Sequence, residues 1–91
     1  MKKRTAHTGS PSWFRPDATL DLHLYTVVDA EEELERFLHD CFQKRKRTLL
    51  VLHGAKTLAR VVKRVLDKHS LVNSHEPDNS GATRVFLGAR P

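Results

Sequence analysis

The 91-residue chain is predicted to fold as an α/β two-layer sandwich in βαβαββ order, a four-stranded mixed sheet with two helices on one face. Three observations predict this. Leu20, Leu22 and Leu24 alternate with Asp21, His23 and Tyr25, the period of two that marks a half-buried strand. Two stretches with apolar residues at helical spacing flank a short, nearly all-apolar run, Thr48 to Leu52. Beyond the second helix, the turn signal Asn79-Ser80-Gly81 leads into a last apolar run, Ala82 to Leu87.

The elements follow in order. Residues 1–18 read as a flexible basic tail, because Gly9, Ser10, Pro11, Ser12 and Pro16 break any periodicity; residues 19–91 form the domain. Trp13 and Phe14 stand out in the tail, either docked on the domain or offering a stacking surface to a base. The first strand starts at Thr19, with Asp21 and His23 on the face opposite the leucines. The first helix takes Asp29 as N-cap and Glu32 as its capping-box partner, with Glu31 to Glu33 at the positive end of the dipole. Its buried stripe is Ala30, Leu34, Phe37, Leu38, Cys41 and Phe42, and it ends in the basic run Lys44 to Arg47. The run Thr48 to Leu52 suits a central strand. The second helix begins near Thr57, with Leu58, Val61, Val62, Val65 and Leu66 inward. Leu71-Val72 opens a short third strand, and residues 82–87 form the last.

Sixteen Lys and Arg against eleven Asp and Glu give a net charge of +5, which favours polyanionic partners such as RNA or DNA. The single cysteine, Cys41, excludes an internal disulfide and suits a reducing, cytoplasmic setting; it is expected in the core. No apolar run approaches the roughly 20 residues of a membrane span, and no apolar signal segment follows the basic start, so no membrane partner is expected.

A right-handed strand-helix-strand unit would lay the first two strands parallel, with their C-terminal ends on one edge. Ligands bind at such an edge in open α/β sheets. Asp21, His23 and His53 would therefore meet at one rim. Phosphodiester cleavage needs a base, an acid and positive charge on the phosphoryl oxygens. Two histidines can share the proton transfers near neutral pH, with Asp21 orienting one imidazole. Gly54, Lys56 and Thr57, at the start of the second helix, form a candidate phosphate cradle. Arg60, Lys63, Arg64, Gly81 and Arg84, with the Lys44 to Arg47 run, are candidates to follow a nucleic-acid backbone. One obvious carboxylate at the rim suits a mechanism without cofactor or metal, the alternative being a single divalent ion on Asp21, His23 and His53. Plainer roles are a solvent-facing polar strand side for Asp21 and His23, and a simple strand end and turn for His53-Gly54. His39 reads as exposed and His69 as closing the second helix, while His7 and His75 carry no evident role.

Three motifs carry a family resemblance: Leu20-Asp21-Leu22-His23, the pair His53-Gly54, and the ending Gly81-Ala82-Thr83-x-Val85, with an amphipathic helix in each gap. From about Thr19 to Leu87 the chain resembles the small MutS-related (Smr) domain. The resemblance implies a fold similar to the C-terminal domain of a bacterial translation initiation factor. It also implies endonuclease activity, read here as cleaving RNA in preference to nicking DNA. Some family members act on messenger RNA in ribosome quality control, so the ribosome is a further expected partner. By the same resemblance Asp21 and His23 are the residues most tied to cleavage, with His53 and Gly54 at the same site. Two departures stand out. Leu24 follows the tetrad where the family has glycine, and His53-Gly54-Ala55-Lys56 lacks the second glycine of the usual HGKG or HGxG, in a loop two residues short. The altered loop favours the alternative, a non-catalytic RNA-binding or ribosome-associated module that keeps the fold, whereas the intact tetrad favours the nuclease.

Overall fold

The structure, a computed structural model, describes residues 14–79 and 81–88. Its elements are β1 (Ala18–Asp21), α1 (Val27–Gln43), β2 (Thr48–Leu52), α2 (Thr57–Lys68), β3 (Val72–Asn79) and β4 (Ala82–Leu87). The sheet runs β1-β2-β4-β3. β1 and β2 are parallel, whereas β4 pairs antiparallel with both β2 and β3. The expected α/β sandwich with a mixed four-stranded sheet is the architecture found.

Alternation in β2 sets the two faces of the sheet. Leu49 and Val51 are buried, and with Val85, Leu87 and Val72 they meet Leu34 and Leu38 of α1 and Val62 and Leu66 of α2 in one apolar cluster. Cys41 lies in the same cluster, as expected, and burial pushes its thiol up. On the other face Phe14 is buried edge-on against Phe86 at 6.0 Å, with the Arg84 guanidinium 5.6 Å from its ring centre. Docking, rather than a free stacking surface, is therefore the role of Phe14. Trp13, His7 and the rest of the expected tail up to residue 13 lie outside the described residues. Asp17 ties the two parallel strands together at their start. Its carboxylate accepts the N–H groups of Arg47 and Thr48 at 2.9 and 3.2 Å, and these bonds hold its carboxyl below the usual range.

Several boundaries differ from expectation. α1 starts three residues early: Thr26, not Asp29, is its N-cap, and its hydroxyl accepts the Asp29 N–H at 3.2 Å. The β-branched pair Val27-Val28 hid that start. α1 also ends at Gln43, before the basic run. Lys46 N–H bonds the Cys41 carbonyl and Arg45 N–H that of Phe42, a Schellman ending in which Arg45 takes the left-handed conformation at φ 62°. Phe42, beside that ending, is exposed rather than part of the buried stripe. β3 is eight residues long and mostly polar, an edge strand that tolerates Pro77. No helix of the described residues is long and apolar enough to cross a membrane.

Candidate functional site

Three chain segments converge at one rim of the sheet. Asp21 stands opposite Leu52 in the parallel register, and Leu22 N–H donates to the Leu52 carbonyl at 2.8 Å. The N–H groups of His53 and Gly54 both donate to the Gly81 carbonyl at 2.9 Å. The expected meeting of the three motifs is thus made largely by backbone hydrogen bonds. Gly54 adopts φ +79°, and a Cβ there would lie 3.8 Å from the His23 ring. The His23 imidazole therefore stands over the His53-Gly54 turn.

Asp21 ends β1 and begins a turn. Its Oδ1 accepts the His23 N–H at 3.0 Å and lies 2.6 Å from His23 Nδ1. Those two bonds hold the Asp21 carboxyl below its ordinary value, the backbone bond being the larger cause. With Nδ1–H donating to the carboxylate, Nε2 carries the free lone pair. The ring is about half exposed, so that atom is open to a substrate. The chain then reverses, Tyr25 N–H donating to the Leu22 carbonyl at 3.1 Å. Leu22 stays buried, but Leu24 is 98% exposed, so the alternation does not continue past the turn as the sequence suggests.

His53 differs in kind. It is 6% exposed, with Nδ1 2.5 Å from the Gly54 carbonyl and Nε2 2.8 Å from the Thr83 hydroxyl. The carbonyl must accept, so Nδ1 carries the proton and Nε2 accepts from Thr83. Both ring nitrogens are engaged. Thr83 is a site residue that the sequence offered only as part of a motif, without a role.

Beside this turn α2 begins without help from any side chain. Lys56 is its N-cap and makes no capping bond, and no carboxylate occupies the first turn. A depression of about 370 Å³ lies here, lined by residues 53–58. Gly54, expected to offer its N–H to a phosphate, spends it on Gly81, and the Ala59 N–H donates to the Lys56 carbonyl at 3.0 Å; the donors that remain in the first helical turn are those of Thr57 and Leu58. A second hollow of about 280 Å³ shares His53 with the first and adds Thr83, Lys63, His75 and Asn79. Asp67 bonds Lys63 at 2.9 Å and His75 at 2.7 Å, which lowers its own carboxyl pKa. His75 therefore has a structural partner that the sequence did not disclose.

The basic candidates divide between the faces of the sheet. Arg60, Lys63 and Arg64 lie together on α2, around one shallow hollow, although Arg64 also bonds Glu31 at 2.5 Å. Arg84, expected on the same track, packs on the opposite face with Phe14, its side chain 13% exposed and 2.9 Å from Glu76. Gly81 contributes its carbonyl to the rim. As for metals, the group among the described residues whose ligand atoms all lie within 4.8 Å of one another is Glu35, His39 and His69, not Asp21, His23 and His53.

The sequence profile of the Smr domain matches residues 20–88. Among solved structures, the chain is similar to the Smr domain of Thermus thermophilus MutS2, with a TM-score of 0.72 and 30% identity over 81% of this chain and 99% of that one. It also shares its fold with YdaL, a stand-alone small MutS-related protein from Escherichia coli, at TM-score 0.65 and 23% identity, covering 80% of this chain and 64% of that one. No curated protein sequence matches the chain. Smr domains are nuclease-related and bind nucleic acid. The match spans both helices, the whole of the rim and all three motifs, and the chain therefore belongs to the Smr domain family.

Proposed function

We propose that this domain is an endonuclease that cleaves RNA in preference to DNA, without a metal at the reacting phosphate. The observation that carries the reading is the Asp21–His23 pair, which leaves one accessible imidazole nitrogen beside the uncapped start of α2. In the proposed reaction a phosphate rests on the first-turn N–H groups of α2, with Lys56 and Thr57 at its side. His23 Nε2 takes the proton of the adjacent 2′-hydroxyl; that oxygen attacks phosphorus and the 5′-oxygen leaves, protonated by water at the open rim. DNA lacks the 2′-hydroxyl, which is the chemical reason for the preference. Asp21 orients the imidazole and stabilises its protonated form, much as a buried aspartate does in a hydrolase triad. His53 holds the Gly54 turn and Thr83 beneath the reacting phosphate. Arg60, Lys63 and Arg64 follow the backbone beyond it. The basic surface and single reduced thiol suit work in the cytoplasm.

A second reading, a non-catalytic RNA-binding or ribosome-associated module, is favoured by one observation. With both nitrogens of His53 engaged, the rim offers a single free imidazole for two proton transfers. The deciding experiment incubates the protein with labelled single-stranded RNA, single-stranded DNA and supercoiled plasmid, with and without EDTA, beside Asp21→Ala and His23→Ala. RNA cleavage that survives EDTA and disappears in both variants supports the nuclease. Salt-dependent binding without cleavage makes the domain a binding module.

A further inference from the structure

The end of the molecule opposite the rim holds a second cluster. Glu35 and His39 are four residues apart on α1 and so share one side of that helix. His69, the C-cap of α2, approaches them from the other helix and is nearly buried. Glu35 Oε1 lies 2.9 Å from His69 Nε2 and 4.0 Å from His39 Nε2, and the two imidazoles meet edge to face at 5.4 Å. One ligand atom from each residue lies within 4.8 Å of the other two.

The geometry points to a divalent transition-metal site, best suited to Zn²⁺, formed by Glu35, His39 and His69. Two imidazoles and a carboxylate are the donor set of an open three-ligand zinc centre. With ligands at about 2.0–2.2 Å, a tetrahedral ion places its donors about 3.4 Å apart, between the two distances observed here. A hollow of about 360 Å³ adjoins the three side chains and supplies room for water as the fourth ligand. Arg64 and Lys68 also line it; Glu31 compensates Arg64, whereas Lys68 opposes a cation and sets a limit on affinity.

Binding has a definite proton balance. Without metal, Leu71 N–H donates to His69 Nδ1 at 3.2 Å, so His69 Nε2 carries the proton and donates to Glu35. The ion takes the Nε2 lone pair, and the proton moves to Nδ1 at the expense of that long Leu71 bond. The ion then links the middle of α1 to the end of α2, a connection that exists only in the folded chain and must stabilise it. The site lies about 18 Å from the start of α2, from twelve residues at 1.5 Å each, so it is separate from the rim and independent of the proposed cleavage.

The test titrates the full chain with Zn²⁺ by calorimetry and with Co²⁺ by visible absorption, and follows thermal melting. The expected result is one tetrahedral ion per chain, with intense Co²⁺ bands and a melting temperature raised by Zn²⁺. His39→Ala and Glu35→Gln, both at exposed positions, should weaken binding at least tenfold without changing the melting of the metal-free protein. His23→Ala should bind as the parent does. Absence of saturable binding, binding that survives His39→Ala, or loss of binding in His23→Ala instead would each overturn the assignment.

Discussion

A single oxygen, Asp21 Oδ1, fixes both the backbone and the ring of His23, at 3.0 Å from its amide nitrogen and 2.6 Å from Nδ1. Removing the carboxylate therefore frees the imidazole in position and in tautomer together. Asp21→Ala and His23→Ala should each lower RNA cleavage by about 10²-fold or more, the usual scale of acid–base catalysis. Fluorescence anisotropy with uncleaved RNA should show unchanged affinity. Equal loss of affinity and rate would assign the pair to binding instead.

Thr83 supplies the hydroxyl that satisfies Nε2 of the nearly buried His53. Thr83→Val keeps the shape and removes the donor. Urea unfolding should show a loss of about 1–3 kcal/mol, the cost of a buried polar atom without a partner. Thr83→Ser should recover most of it.

The two rim glycines should respond differently to alanine. At Gly54 there is space for a methyl group, but φ is +79°, and the backbone strain should cost about 1 kcal/mol or more. At Gly81 the nearest atoms to an added Cβ are 3.5 Å away, ordinary contact, so Gly81→Ala should melt close to the parent. Calorimetry of the two variants checks the contrast.

Arg45 occupies the left-handed position that helix endings usually give to glycine. Arg45→Gly should therefore stabilise the protein, by about 1 kcal/mol. If the same change weakens RNA binding, the strain is retained for the sake of the charge; denaturant midpoints and binding isotherms measured on one preparation separate the two effects.

Three carboxylates, Asp17, Asp21 and Asp67, have folded-state pKa values lowered by the N–H and cationic groups that bond them. A lowered folded value means the stabilisation is present above the unfolded pKa of about 4 and is lost as pH falls through the folded values. Stability should be nearly level around neutrality and fall below about pH 4, with a modest amplitude because all three groups face solvent. Asp17→Asn should flatten that acid limb in melting experiments run across pH.

Much of the fold was legible because it depends on local pattern. β2, α2 and β4 announce themselves by apolar run, helical spacing and turn residues, and the rim follows from the parallel connection. The end of β1 was not legible, since Leu24 continues the alternation while Asp21 caps a turn through His23. β3 was under-read because only Val72 in it is buried; its other residues are held by ladder bonds to β4 rather than by apolar contact. The partners of His53, His69 and His75 are 30, 34 and 8 residues away in sequence, and no local signal marks such approaches.

β1 has four residues and one neighbouring strand, yet it ends in Asp21 and leads directly to His23. What secures it are Leu22 in the core and the Asp17 carboxylate at the opposite end. Edge segments of this kind open locally, at a lower free energy than the whole domain unfolds. Amides of β1 should accordingly exchange with deuterium ahead of those in β2 and β4. The fraction of molecules carrying an assembled rim is thus governed by the docking of one short edge strand, and a ligand that grips Asp21 and His23 together would also fasten that edge to the sheet.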